Sequence, residues 1–346
     1  MARIVVAGAG SIGASIAHAL AQRGERDVVV CDVGEVASGS TGRAMGGVRQ
    51  QFSTAAEVLL AKASIRFFEQ LGPPFFHQVG YLFVATSEAG LAELDARREL
   101  QASLGVPVER VDASFVRGLN VDDVVGSVFC AEDGVADPPA VARWLLERSG
   151  VEVREHTDAL DVEGDVLVIA CGARSGEVAA RRGIELPVRP LCRQLLETAS
   201  LGLPDDLPMV IEAETGFHFR RRGDRLVLAM TDPTPRWGFA TDVDESLIAD
   251  RLERLAHRYA PAAGTTIERS WAGLYDMTPD AHPIIGWVGD GVYAACGFSG
   301  HGFMQTPAVG EAASAELLGD SPPFDLSAYR FGRFAEGAVF PETLVL

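Results

Sequence analysis

Ile4-Val-Val-Ala-Gly-Ala-Gly-Ser-Ile-Gly13 is the stretch on which the reading of this chain turns. Four apolar residues form a short buried strand, and glycines follow at 8, 10 and 13. Ile12, Ile16 and Leu20 then recur every four residues, which marks one buried helix face, and Gly24 ends that helix. Val28–Cys31 is a second apolar strand that closes on Asp32. In such a β-α-β unit Gly8 permits the turn, Gly10 lets a diphosphate approach the backbone, and Gly13 lets helix and strand pack closely. The N–H groups of the first helical turn, from Ser11 and Ile12, carry partial positive charge toward the phosphates. Asp32 is placed to accept hydrogen bonds from ribose hydroxyls and disfavours a 2′-phosphate.

A second glycine loop lies near the other end of the chain, in Cys296-Gly-Phe-Ser-Gly-His-Gly-Phe-Met-Gln-Thr-Pro307. It also follows an apolar strand, expected at 291–296, and also leads into a helix, expected to run to Leu318. Two junctions of this kind predict a large ligand gripped at two points, a dinucleotide with a ring system at its far end.

The length of 346 residues predicts two domains with a substantial core. Acids outnumber bases 48 to 30, for a formal charge of -18. That field repels a phosphate backbone, so nucleic acid is excluded as a partner. No apolar run reaches the ~18 residues of a membrane helix, so no integral membrane segment is expected. The five cysteines (Cys31, Cys130, Cys171, Cys192, Cys296) show no C-x-x-C spacing and read as free thiols. The odd count points to a reducing compartment and a cytoplasmic location. The apolar N-terminus loosely imitates an export signal, but the glycine spacing and the following strand account for the same residues. Nothing in the sequence opposes an oligomer.

Between the glycine loops, 34–47 is too rich in Gly and Ser for continuous regular structure. A helix is expected over Ala55–Leu71, with Val58, Leu59, Ile65, Phe68 and Leu71 on its apolar side. A strand over 81–86 and a polar helix over 90–104 follow. Asp137-Pro138-Pro139 caps and opens another helix. An apolar strand over 166–170 ends in Cys171-Gly172-Ala173. Alternating strands are expected over 194–197, Met209–Glu212, 217–221 and 225–230, then a helix over 244–259. Helix and strand alternate at the ends and in the middle, with antiparallel-looking strands between. The expected fold is therefore α/β: a doubly wound, Rossmann-like dinucleotide domain interleaved with an α+β domain of mixed antiparallel sheet. The expected division is 1–76, 136–186 and 271–346 for the first, 77–135 and 187–270 for the second. Residues 321–346 carry no periodic pattern.

The glycine motif does not by itself separate FAD from NAD. Residues 37–52, Ala-Ser-Gly-Ser-Thr-Gly-Arg-Ala-Met-Gly-Gly-Val-Arg-Gln-Gln-Phe, carry more information. Together with Asp137-Pro138, 166–173 and 297–304, this chain resembles the D-amino-acid oxidase / sarcosine oxidase family of flavoproteins. Within it, the resemblance is to the group of sarcosine oxidase β subunit, dimethylglycine dehydrogenase and proline dehydrogenase β subunit, and it runs from Arg3 to about Leu318. It implies FAD, with Ser40, Thr41 and Arg43 along the diphosphate and ribityl chain and Gly46-Gly47 beside the isoalloxazine. It implies contacts from Cys171, Gly172 and Ala173, and from Gly297 and the 300–304 loop (Gly300, His301, Gly302, Phe303, Met304), whose N–H groups face flavin N1 and C2=O. Donors there stabilise the charge of reduced flavin.

The resemblance also implies a reaction: oxidation of the C–N bond of an amino acid or secondary amine (sarcosine-, proline- or D-amino-acid-like), giving an imine that water hydrolyses. Arg49 matches an arginine that pairs a substrate carboxylate, Tyr275 an active-site aromatic, and His301 a residue of the flavin loop with a candidate catalytic role. His282 reads as a structural histidine. The site needs no strong base, because desolvation alone lowers an amine pKa. The implied partners are a small amine or amino acid and an electron-acceptor protein or quinone, with oxygen as the competing acceptor. A non-catalytic flavoprotein acting as an assembly component is a further alternative, and an NAD-dependent dehydrogenase leaves 297–304 without a use.

Departures from the family pattern matter as much. Gly273 and Arg43 stand where relatives attach flavin through cysteine and histidine, so noncovalent FAD is expected. Val227 and Met304 stand where monomeric sarcosine oxidases carry lysines. The segment 157–165 is short where relatives insert a hairpin against the adenine. Glu212, Glu214 and His218 lack a second histidine at ligand spacing, so no metal is expected. Arg220-Arg221-Arg222 reads as a solvated hairpin tip.

Overall fold

In the computed structural model, which describes residues 2–343 and 345, the chain builds three sheets. Six strands form the first, in the spatial order Ile284–Gly289, Val292–Cys296, Val166–Ile169, Ile4–Ala7, Val28–Cys31, Glu152–Arg154. All its pairings are parallel except the one between Ile284–Gly289 and Val292–Cys296. The central strands are buried along their whole length, which is why they read as unbroken apolar runs rather than as alternation. Helix Ser11–Gln22 packs against both Gly302–Leu317 and Pro138–Ser149, so the helices that follow the two glycine loops touch.

The second sheet has eight strands, in the order Ile267–Met277, Arg189–Thr198, Arg225–Ala229, His218–Arg222, Met209–Glu212, Tyr81–Ala85, Gly126–Cys130, Val108–Arg110. Its one parallel pairing joins Met209–Glu212 to Tyr81–Ala85. A small three-stranded sheet is formed by Gly47–Val48, Gly134–Ala136 and Phe76–His77. The expected α/β architecture with a second, mostly antiparallel sheet is what forms. The domain boundary expected at 271 falls inside the Ile267–Met277 strand, which pairs with Arg189–Thr198 over most of its length.

The Ala55–Leu71 helix has the expected bounds. Leu59 does not lie on its buried face: it is 50% exposed, while Val58, Ala61, Ile65 and Phe68 are buried. Residue 59 lies about 100° round the helix from 58, outside the stripe those four define. Asp137 caps its helix by accepting from the Ala140 N–H, as its Pro-Pro sequence predicts. All five cysteines are free, and Cys31, Cys130, Cys192 and Cys296 are buried. No helix among the described residues is long and apolar enough to cross a membrane.

The solvated-tip reading of 220–222 is corrected. Gly223 and Asp224 form the turn, Gly223 with φ +62°, and Arg220–Arg222 stay in the strand. Arg220 is 5% exposed and reaches toward the Ala136 carbonyl, while Arg222 donates to the Ala44 carbonyl at 3.1 Å. Burial and the neighbouring Arg222 pull the Arg220 pKa down to about 9. The unpatterned 321–346 segment is also not inert. Tyr329, Arg333 and Glu342 are buried, Arg333 forks onto Asp280 at 2.8 and 2.9 Å, and Glu342 accepts from the Ser53 N–H.

Candidate flavin and substrate site

The first glycine loop is fixed by backbone contacts that leave no room for a side chain. Gly8 has φ +112°, and a Cβ there would lie 2.3 Å from the Ala170 carbonyl oxygen. A Cβ on Gly13 would lie 1.9 Å from the Gly8 oxygen. The Ser11 N–H at the helix start is taken at 3.0 Å by Thr41 Oγ1, which ties the 40–43 turn to the loop. Asp32 accepts from the Ala9 and Gly34 N–H groups, each at 2.8 Å. Its carboxylate thus braces the loop and still borders the cavity.

The second loop is shaped by Tyr275. A Cβ on Gly300 would lie 2.4 Å from the tyrosine ring, so glycine there lets the ring come close to the loop backbone. Gly297, φ +76°, donates its N–H to Asp276 at 2.7 Å. The chain then enters helix Gly302–Leu317, and the N–H groups of a first helical turn have no partner within the helix.

One cavity of about 980 Å3 joins the two loops. Gly8, Gly10, Ser11, Ile12, Asp32, Ser40, Thr41, Arg43, Cys171, Gly172 and Ala173 line one end of it. Gly46, Gly47, Arg49, Tyr275, Gly300, His301, Gly302, Phe303 and Met304 line the other. Gly13 and Gly297 are not on its wall; they serve the loops' own packing. The short 157–165 segment turns as the Ala159–Asp161 helical turn, and Thr157, Asp158 and Ala159 form cavity wall beside Asp32. Cys171 donates its thiol to the Ala7 carbonyl, and burial pushes its pKa up to about 12, so it stays a thiol.

Sequence reasoning missed several residues at the inner end: Tyr81, Arg193, Met209, His218 and Asp276. Arg193 carried a usable signal, a lone cation in the apolar run Pro190-Leu-Cys-Arg-Gln-Leu-Leu196. His218 Nδ1 lies 2.7 Å from the Gly216 carbonyl, which assigns the ring proton to Nδ1 and leaves Nε2 as an acceptor. Burial, then Arg49 and Arg193, depress its pKa to about 4. Burial raises the Tyr275 and Tyr81 phenols, so both remain protonated. Burial also lifts Asp276 to about 6 despite its backbone N–H partners.

Arg49 is buried against the ring of Phe52, 4.0 Å from its centroid, and donates to the Gln51 carbonyl. Asp133 and Glu342 offset its charge, while burial lowers its pKa. His301 is buried with its ring edge-on to Phe52 at 5.1 Å. Met304 is on the cavity wall, but Val227 is fully buried away from it; Ala229 is the residue of that strand that faces the cavity. His282, as expected, is structural: Nδ1 meets Glu57 at 2.8 Å and Nε2 meets the Phe340 carbonyl at 2.6 Å. Glu212 bonds Arg258, and Glu214 takes the Thr86 and Ser87 N–H groups.

A glycine loop at a helix start, the Asp32 carboxylate and a second helix start share one cavity, an arrangement that suits a dinucleotide. The chain belongs to the DAO family of FAD dependent oxidoreductases, whose pattern matches residues 3–316. It is 26% identical to the 4-methylaminobutanoate oxidase (formaldehyde-forming) of Paenarthrobacter nicotinovorans over 96% of this chain, and spans 46% of that protein's length. It is 29% identical to the glycine oxidase of Pseudomonas putida, covering 94% of this chain and 97% of that one. Among solved structures it resembles the L-proline dehydrogenase of P. horikoshii, with TM-score 0.90, 26% identity, and 98% and 99% of the two chains covered. FAD is its cofactor, and the chain is an FAD-dependent oxidoreductase. The residues present fit the group: the glycines at 8 and 10 leave the backbone bare where a diphosphate must approach, and the cavity is long enough to reach the second loop.

Proposed function

We propose that the chain oxidises the C–N bond of a small amino acid or secondary amine, sarcosine-, proline- or glycine-like, and passes the electrons to a protein or quinone acceptor. The observation that carries this reading is the single cavity joining the phosphate loop to an inner end walled by arginine, tyrosine and histidine. Bound FAD supplies the hydride acceptor. The chain's residues supply the rest. The 302–304 N–H groups offer donors where negative charge develops on reduced cofactor. Tyr275, protonated and pressed on Gly300, walls the substrate position. Against the one carboxyl of Asp276 the inner end sets two guanidiniums, which disfavours an ammonium and favours the neutral amine the reaction needs. Water then hydrolyses the imine product.

In this reading segments 1–76, 136–186 and 271–346 hold the cofactor, and 77–135 and 187–270 face the substrate. The curated relatives bear names of sarcosine dehydrogenases, a dimethylglycine dehydrogenase and a glycine oxidase, which supports the amine class. Anaerobic titration of the purified flavoprotein with a panel of amino acids and N-methyl amines is the test. Bleaching of the flavin by at least one of them is expected; a panel without effect overturns the reading in favour of a non-catalytic flavoprotein. Reoxidation by a quinone analogue faster than by oxygen is expected for a dehydrogenase, and the reverse assigns an oxidase.

A further inference from the structure

Arg193 stands opposite Gly273 in the pairing of Arg189–Thr198 with Ile267–Met277. Its guanidinium carbon lies 5.5 Å from the Tyr275 ring centroid, and the residue lines the cavity. Its Nε and Nη1 are buried and meet no acceptor among the described residues. Arg49, by contrast, has the Gln51 carbonyl, the Phe52 ring and the charges of Asp133 and Glu342 around it. Of the two cations that bear on Tyr275 and His218, only Arg193 presents buried donors that the fold leaves unmet. Such donors cost free energy until a ligand meets them.

We propose that Arg193, not Arg49, is the anion anchor of the substrate pocket, binding a carboxylate through its guanidinium. Either fork of the group, Nε with Nη2 or Nη1 with Nη2, matches the two oxygens of a carboxylate, and each includes one of the unmet donors. The Tyr275 ring beside the guanidinium limits its rotation and excludes water from one side. His218, neutral and on the cavity wall with Nε2 left as an acceptor, brings no competing anion. Arg49 then acts as buried wall, holding the 49–52 segment. This assignment deepens the amine-oxidation reading and rests on it for the identity of the ligand as substrate.

The test uses the purified holoprotein and unreactive probes. Calorimetric titration with propionate and with propionamide is expected to give at least about tenfold tighter binding of the acid. Arg193→Met is expected to weaken propionate by about 10- to 150-fold, as for loss of hydrogen bonds to a charged group, while leaving propionamide and FAD content unchanged. Arg193→Lys, which keeps charge but not the fork, is expected to fall between. Unchanged propionate binding in Arg193→Met overturns the proposal, as does parallel loss of both probes or loss of FAD, which would assign Arg193 to the cofactor. Failure of the amine panel with Arg193-dependent propionate binding intact would sink the oxidation reading and spare the anion subsite.

Discussion

A Cβ built on Gly273 lies 3.0 Å from the Cβ of Arg43, so the long strand of the eight-stranded sheet and the glycine-loop helix Ser40–Arg43 meet with almost nothing between them. The Trp271 indole donates to the Arg43 carbonyl at 3.0 Å and Ser40 to the Leu274 carbonyl at 2.6 Å, closing the seam. Both residues border the cavity. Neither offers a nucleophile for a covalent flavin bond. Acid precipitation of the purified protein is therefore expected to leave a colourless pellet and put all the flavin in the supernatant. A yellow pellet would contradict this.

Gly13 meets backbone, not a pliable side chain: its Cβ would sit 1.9 Å from the Gly8 oxygen. Gly13→Ala is expected to destabilise by on the order of 3 kcal/mol and to lower the FAD content of purified protein. Thermal denaturation and the flavin-to-protein absorbance ratio check the two effects. An unperturbed loop in the variant would show that helix and strand can separate freely.

Arg49 and Arg193 are expected to divide stability from binding. Arg49 is a buried cation whose charge Tyr81, Glu342 and Asp133 favour, so Arg49→Met should lose about 1–3 kcal/mol in denaturant unfolding. Arg193 Nε and Nη1 meet no hydrogen-bond partner among the described residues, and Arg193→Met should stay within about 1 kcal/mol of wild type. Equal losses would show that both cations are structural.

Asp133 accepts from the Gln50 N–H and from Gln51 Nε2, yet burial lifts its pKa to about 6. A carboxyl raised in the fold holds its proton more tightly than in the unfolded chain. Its contribution is thus most favourable below the unfolded value near 4 and is lost as pH rises through about 6. Asp133→Asn removes that dependence. Although the variant loses an acceptor, its stability relative to wild type should improve by about 2–3 kcal/mol between pH 4 and pH 7. Urea midpoints of the two proteins across that range are the measurement; parallel curves would place the Asp133 titration elsewhere.

Arg333→Met is expected to cost about 3–5 kcal/mol by stranding Asp280 in the interior. Asp280 also accepts the Glu342 N–H through its carbonyl, so the C-terminal segment should become sensitive to limited proteolysis in the variant. Retained resistance would mean that Glu342 and Ser53 hold the segment unaided.

Much of the cofactor half was legible because its signals are local. A glycine needed for close backbone approach, an apolar strand and a four-residue helical period each lie within a few neighbours of one another, and Gly8–Asp32 could be read residue by residue. The Ala55–Leu71 helix was legible for the same reason, apart from Leu59. Strands Ile267–Met277 and Gly126–Cys130 were not, since an edge or mixed-face strand shows no regular alternation and takes its identity from its partner.

What the sequence by itself determined was the β-α-β unit, the second glycine loop and the family pattern, all carried by short-range backbone chemistry. Only the tertiary structure decided which side chains share the inner cavity. Arg49, Arg193, His218 and Tyr275 come from four separate segments, and no spacing along the chain encodes their meeting. It also decided that Arg49 is compensated and that the buried donors of Arg193 go unmet, because the charge balance of a buried group depends on neighbours brought to it by the sheet pairings and by the C-terminal segment.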